Sequence, residues 1–393
     1  MKKKRISIFG STGSIGDSVL KLLDNNKKNY EVYILSGYKN YNKIIYQIKT
    51  YKPKIFIIFD DETFLKIKNK INNKKIIILN KENYKKFRFK KSQVSISAIP
   101  GIAGLEPTLD LINSSKKVLI ANKESVICGW DLIKKLAKKN KVNLIPIDSE
   151  HFSIFKLIDK NNKSSIEKIY LTASGGPFLN LPINKIKKAS PTQAINHPKW
   201  KMGKKISVDS ATLMNKMFEV IEAHKLFSID IKKIEVLIHP QSLVHAIVKF
   251  NNGLYQFLYF EPDMKIPIGN AIFDEDFRYR NINKKIIHSK FSKNLNFQDV
   301  DKIRFPAIRL KPILNKYVSM PIVLNAANEI FVDQFLKKNI SFYSIINYLT
   351  VLLQDQKLRK YAIKKPSNLK TILLVDDWAR KKAMQIISEK KFK

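Results

Sequence analysis

Residues 5–23 read RISIFGSTGSIGDSVLKLL, and this stretch decides the fold. Residues 5–9 form a short β-rich run, Gly10, Gly13 and Gly16 follow at once, and residues 17–23 are spaced as a helix. A strand, a glycine-rich turn and a helix in that order place a pyrophosphate on backbone N–H groups at a helix N-terminus. The spacing is G-x-x-G-x-x-G rather than G-x-G-x-x-G, and a plain tight turn is the competing reading.

The next β-like run, residues 30–35, ends in Ser36-Gly37-Tyr38-Lys39-Asn40. NAD-binding folds place an Asp or Glu here for the ribose 2′-OH. Ser, Lys and Asn suit a 2′-phosphate instead, so the expected cofactor is NADP(H). Runs at 55–59, 75–79, 94–99, 117–121 and 143–147 alternate with helical segments, which predicts a doubly wound, Rossmann-like parallel sheet. The loops at 100–104 and 121–125, the second reading Ala-Asn-Lys-Glu-Ser, should face the cofactor beyond the strand ends.

At 393 residues, with 44% hydrophobic and 10% aromatic side chains, the chain suits two or three globular domains. Its net charge of +40 raises the question of nucleic acid. The lysines are spread evenly and travel with Ile and Asn, as in an AT-rich genome, and no aromatics stand among them at stacking spacing. No apolar run approaches the ~18 residues of a membrane span. The opening MKKKR lacks a secretory apolar core, and a single cysteine, Cys128, fits a reducing cytoplasm. Neither nucleic acid nor membrane is an expected partner.

Chemistry concentrates downstream. Residues 143–147 end in Asp148-Ser149-Glu150-His151. Two carboxylates two apart on an extended segment point to one side, as a hard cation requires, although a charged strand end is the plainer reading. Residues 207–222 read SVDSATLMNKMFEVIE, a helix with Asp209 or Ser210 as N-cap. Leu213, Met214, Met217, Phe218 and Ile221 supply its apolar stripe. Asn215, Glu219 and Glu222 share another face with Lys216 at its edge, and on its own such a face is most simply a solvated stripe. With Asp148 and Glu150, Glu219 would complete an all-oxygen set that favours Mg²⁺ or Mn²⁺ over Zn²⁺. Ser174-Gly175-Gly176 is a natural anion-binding turn. The loop 197–203, HPKWKMG, is either a core anchor for Trp200 or a lid. Ser174, Ser210, Asn215 and Lys216 together would make a phosphate clamp.

The motifs GSTGSIG, ANKES, PIDSEH, LTASGGPF, HPKWKMGKKISVDSATLMNK with the following Glu219, IHPQSLVHA, EPDM and LNAANE occur in the order found in 1-deoxy-D-xylulose 5-phosphate reductoisomerases. The chain resembles that family over nearly its whole length. The resemblance implies NADPH- and metal-dependent rearrangement and reduction of 1-deoxy-D-xylulose 5-phosphate to 2-C-methyl-D-erythritol 4-phosphate, for isoprenoid synthesis, in a cytoplasmic homodimer. It implies Asp148, Glu150 and Glu219 as ligands of Mg²⁺ or Mn²⁺, with Co²⁺ compatible. Lys123 and Ser149 would meet substrate hydroxyls, and the clamp would hold the phosphate with His197 beside it. Trp200 and Met202 would ride on a flap. Ser11, Thr12, Gly13, Ser14, Ile15, Gly37, Lys39, Asn40, Asn122, Glu124 and Gly203 would contact NADPH. Two positions depart from the family pattern: Tyr38 stands where many members have Gly, and Lys199 where many have Asn or Thr.

The expected domains are 1–149 for NADPH, an α+β catalytic and connective domain at 150–274, a linker at 275–300 and a small helical bundle at 301–393. Helices are expected at 313–317, 322–336, 343–353 and 372–387, with Asn325 and Glu329 on one turn facing either the site or a neighbouring helix. Another NADP-dependent dehydrogenase with the same N-terminal fold is the alternative, but it requires neither the acid triplet nor the clamp.

Overall fold

The computed structural model describes residues 3–71, 75–158, 163–279 and 294–391. The chain forms two compact units, 1–125 with 133–152 and 263–291, and 126–132 with 153–262 and 292–393.

The first unit is built on a parallel seven-stranded sheet: β1 Lys4–Phe9, β2 Tyr30–Gly37, β3 Ile55–Ile58, β4 Ile77–Leu79, β5 Ser92–Ser97, β6 Ser115–Ile120 and β7 Asn143–Pro146. The order is β4-β3-β2-β1-β5-β6-β7, so the winding reverses between β1 and β5. Ile6, Ile8, Leu35, Phe56, Ile57 and Ile96 are fully buried, which is why these strands read as apolar runs instead of alternating. Helices after β2, β3, β4 and β6 begin with side-chain caps: Asn40, Asp60, Asn80 and Asn122 accept from the backbone N–H three residues on. The helix after β1, Ser14–Asp24, starts at Gly13 with no side-chain cap.

Two expectations about organisation change here. The helix Lys265–Phe273 belongs to the first unit, not to the catalytic domain that 150–274 would delimit. Its Phe273 ring packs edge-on to Tyr30 at 5.3 Å, and Lys117 pairs with Asp274 at 2.9 Å. The expected linker at 275–300 is structured where it is described: Phe277 stacks on Phe273, and β12 Gln298–Asp299 pairs with Leu237 and Ile238 of the second unit. Its residues 280–293 lie outside the described residues.

The second unit holds a mixed five-stranded sheet, ordered β11-β10-β8-β9-β12. Its other strands are β8 Ile166–Ala173, β9 Ile234–Ile238, β10 Val244–Phe250 and β11 Tyr255–Tyr259. Only β8 and β9 run parallel. The helices Met320–Leu336, Phe342–Leu353 and Leu369–Lys391 form near their expected positions but join the same compact unit as the sheet instead of standing apart. The helix expected at 313–317 is absent. A 3₁₀ segment, Pro306–Ile313, precedes that stretch, and Pro312 near its end contributes no N–H donor. Glu329 pairs with Arg380 of the last helix, so it ties helices together.

Candidate active site

At the sheet's switch point the glycine turn has no room for a side chain at Gly10 or Gly16. Gly10 has φ +85°, and a Cβ there would lie 2.5 Å from Ala98 O at the end of β5. A Cβ on Gly16 would lie 2.4 Å from both Ser11 Cα and Ser11 O. The turn is pinned from β2: Gly10 N–H donates to Ser36 Oγ, and Ser11 N–H to Ser36 O, each at 2.9 Å. Buried Gln47 donates to Ser11 O at 2.9 Å. Ser11 is therefore a buried brace, while Thr12 and Ile15 are half-buried and Gly13 and Ser14 are exposed at the uncapped helix start.

Beyond β2, Gly37 is buried against Ile44 and Thr12, and Asn40 caps the next helix. Lys39 is exposed, and its ammonium lies 5.5 Å from the centre of the Tyr38 ring, which is itself exposed. The structure adds a carboxylate that reading this loop alone misses: Asp60, at the end of β3, lies 3.8 Å from Lys39. Only the pairing of β2 with β3 reveals it. Asn122 is 2% exposed and donates to Ile99 O and Gly101 O while accepting from Ser125 N–H, so its side chain splices two strand-end loops. It also reaches Glu124 at 3.3 Å.

The acid cluster of this unit sits at a helix start, not on the extended segment its spacing suggested. The helix Ser149–Leu157 begins directly after Asp148. Lys123 Nζ lies 2.8 Å from Asp148 Oδ2, and His151 Nδ1 lies 3.6 Å from the same oxygen. Burial would raise the Asp148 carboxyl, but the Lys123 ammonium and His151 outweigh it and hold it well below the usual carboxylate range. Ser149 donates to Glu150 Oε2 at 2.6 Å. His151 is fully buried, a member of the cluster visible in sequence only as the fourth residue of DSEH.

In the second unit, the single helix expected over 207–222 is two: Lys204–Thr212 and Met214–Phe227. Leu213 between them has φ +67°, so the chain turns in the left-handed region without a glycine. Glu219 is 1% exposed, Lys216 4% and Glu222 3%, which overturns the solvated-stripe reading. Asn215 donates to one Glu219 oxygen and Lys216 pairs with the other. Ser174-Gly175-Gly176 lies against the first of these helices, since a Cβ on Gly176 would come within 3.2 Å of Ser210 O. Ser174, Ser210, Asn215 and Lys216 thus all belong to one continuous turn-and-helix assembly. Asp209 is a buried tie that sequence reading treated only as a cap. Its carboxylate pairs with Lys205 at 3.0 Å and accepts from Asn328 Nδ2 at 2.7 Å. Asp209→Ala is expected to cost about 3 kcal/mol in equilibrium urea unfolding; a loss below about 0.5 kcal/mol would contradict this tie.

His197 lies 2.9 Å from Ser174 Oγ, and its Nδ1 accepts from the backbone N–H of Lys199 and Trp200. Trp200 rests edge-on to His245 at 6.0 Å, and His245 stacks on Phe260 at 4.1 Å. Burial pushes His197 down to about 4. Protonating Nδ1 would set a cation against two N–H donors, whereas in a released loop the ring returns to about 6.5. The ring's contribution to the order of this loop is therefore fully present above about pH 6.5 and falls away as pH drops from there to about 4. Trp200 emission is expected to stay flat above pH 7 and to shift on acidification through that window. Met202 is half-buried, and Gly203 is exposed, with nothing within 4 Å of where a Cβ would stand.

A glycine turn at the switch point of a parallel sheet, with Lys123, Asp148, Ser149 and the buried His151 gathered in the same unit, is the arrangement of a dinucleotide-linked oxidoreductase. Three family models of 1-deoxy-D-xylulose 5-phosphate reductoisomerase match residues 6–129, 144–227 and 261–382. The chain belongs to the 1-deoxy-D-xylulose 5-phosphate reductoisomerase family. Relatives bearing that name include one from Pelagibacter ubique, 44% identical over 95% of this chain and 97% of its own. Another, from Thermodesulfovibrio yellowstonii, is 40% identical over 98% and 100%. A DOX-P reductoisomerase structure in complex with NADPH, fosmidomycin and magnesium superposes with TM-score 0.91 at 32% identity, covering 99% of each chain. The Zymomonas mobilis enzyme in complex with NADPH gives 0.85 at 31%, covering 98% of this chain and 99% of its own.

Proposed function

We propose that this chain converts 1-deoxy-D-xylulose 5-phosphate to 2-C-methyl-D-erythritol 4-phosphate with NADPH and Mg²⁺, the rearrangement and reduction of its family, in the methylerythritol phosphate route. The observation that carries this reading is Glu219, a carboxylate 1% exposed and held between Asn215 and Lys216. A buried carboxylate with an oxygen-only donor set suits a hard cation, and Asp148, Glu150 and Glu219 would hold it. When bound, the cation supplies Lewis acidity toward the oxygens of a hydroxy-ketone. Mn²⁺ would serve as well.

Lys123 keeps Asp148 ionised and presents an N–H to a substrate hydroxyl, and Ser149, whose own hydrogen goes to Glu150, offers an acceptor to another. Ser174, Ser210, Asn215 and Lys216 grip the phosphate, and that remote binding energy orients the reacting carbons. His197 stands beside them. Trp200 and Met202 close over the site and exclude water before hydride transfer. Ser11, Thr12, Gly13, Ser14 and Ile15 carry the pyrophosphate, Gly37, Lys39 and Asn40 the adenosine end, and Asn122, Glu124 and Gly203 the nicotinamide side. The gap at the uncapped start of Ser14–Asp24 fits a pyrophosphate. A homodimer in the cytoplasm is part of the same proposal. Among the described residues, no helix is long and apolar enough to cross a membrane.

NADPH oxidation by purified protein with 1-deoxy-D-xylulose 5-phosphate tests the reading. Oxidation should require Mg²⁺ and stop with EDTA. A protein that binds NADPH yet oxidises it at the same rate with EDTA would overturn the metal role. Ser174→Ala should lower kcat/KM by about tenfold, with part of the loss in kcat because the lost phosphate contact also orients the reacting carbons.

A further inference from the structure

The turn that carries Ser174 has little of its own to hold it. Gly175 and Gly176 take φ +81° and +62° in succession, a conformation that glycine enters easily and leaves as easily. The turn is fixed from outside. Gly176 lies against the helix Lys204–Thr212, where a Cβ would come 3.2 Å from Ser210 O. Phe178, 2% exposed, sets its ring edge-on to Phe342 at 5.0 Å. Past it the chain runs into the exposed stretch 182–185, and Leu181 N–H reaches back to Phe178 O only at 3.3 Å.

A side chain far along the sequence closes this exit. Arg304 Nη1 donates to Phe178 O at 2.8 Å and also to Leu181 O. The guanidinium is itself aimed. Asp301 Oδ1 accepts the N–H of Ile303 at 2.8 Å and of Arg304 at 3.2 Å, and Asp301 Oδ2 lies 3.9 Å from Arg304 Nε. A planar nitrogen with two N–H groups at a fixed angle sets two carbonyls relative to each other, and a rotating ammonium does not.

We propose that Arg304 is a positioning residue for the phosphate subsite: it ties Phe178 O to Leu181 O and so holds the Ser174-Gly175-Gly176 turn in shape before phosphate arrives. Ser174 Oγ accepts Gly176 N–H at 3.1 Å, so the place of the hydroxyl depends on the glycine pair keeping its φ values. Preorganisation of this kind raises affinity without adding a contact. The proposal rests on reading Ser174 as a phosphate ligand, and the test keeps the two ideas apart.

Inorganic phosphate is titrated calorimetrically into the parent, Arg304→Ala, Arg304→Lys, Ser174→Ala and the Ser174→Ala/Arg304→Ala double variant. Arg304→Lys keeps the charge and much of the bulk but not the fixed pair of N–H groups, so it separates position from charge. Both Arg304 variants are expected to bind phosphate about tenfold more weakly, because a released glycine pair must be ordered on binding. The Arg304 side chain is 18% exposed, so the place it vacates is open to solvent. Added guanidinium, compared with equal NaCl, should therefore restore affinity in Arg304→Ala. In the double variant the two losses should combine to clearly less than their product, as residues acting through one turn require. A folded Arg304→Lys with parental phosphate affinity would overturn the proposal whatever its thermal midpoint, and so would losses that simply multiply. Parental binding by Ser174→Ala would instead overturn the clamp reading, whereas a loss there beside parental binding in Arg304→Lys would sink this proposal alone.

Discussion

Glu219→Gln is expected to lower kcat/KM by about 10³-fold or more, roughly 4 kcal/mol of transition-state stabilisation. The substitution is nearly isosteric, and the amide oxygen can still accept from Asn215, so local shape is kept. What goes is the negative charge, both for a cation and for the buried Lys216 ammonium. The second loss should cost about 3 kcal/mol of stability, because removing one member of a buried pair strands the other's charge. NADPH titration on the same variant separates the effects: cofactor affinity within about twofold with activity lost places the damage at the metal. Activity within tenfold of the parent would remove Glu219 from the metal set.

Gly16→Ala carries the second large effect, and its sign is diagnostic. Gly16 lies within the helix Ser14–Asp24, where Ala is ordinarily favoured over Gly by about 1 kcal/mol. Here the added Cβ would meet Ser11 Cα and O at 2.4 Å and Gly10 O at 2.6 Å, all backbone atoms of the turn. Neither the turn nor the helix can yield without losing the Ser36 and Gln47 hydrogen bonds. Overpacking of this kind costs about 3 kcal/mol, more than the propensity gain. The expected result is a lower thermal midpoint together with NADPH binding weakened by about a hundredfold. A variant as stable as the parent, with parental affinity, would mean that the turn is looser than its contacts indicate.

Much of this was legible beforehand because it is local. The β1-turn-helix unit and the alternation that gives a parallel sheet each depend on a few consecutive residues. The failures are failures of locality. No glycine or proline marks the break at Leu213, since tertiary packing, not propensity, forces that residue to φ +67°. The Glu219 face looked solvated because nothing along a single helix says what covers it. Asp60 reaches Lys39 only through the pairing of β2 with β3, and Asn328 reaches Asp209 across 119 positions of sequence. The helix at 265–273 read as part of its sequence neighbours, although its apolar side belongs to a sheet completed far upstream.

That late return matters when the chain is made. The strands of the first sheet have all been synthesised once β7 emerges, but the helix that packs Phe273 onto Tyr30 follows roughly 120 residues later. At about 5–20 residues per second, the ribosome needs on the order of ten seconds to deliver it. For that interval the nascent sheet displays an apolar patch, and the second unit is being threaded out while the first is still unfinished. Neither unit can be expressed as one uninterrupted segment. A fragment ending near residue 150 would keep that patch uncovered and would depend on a holdase to stay in solution.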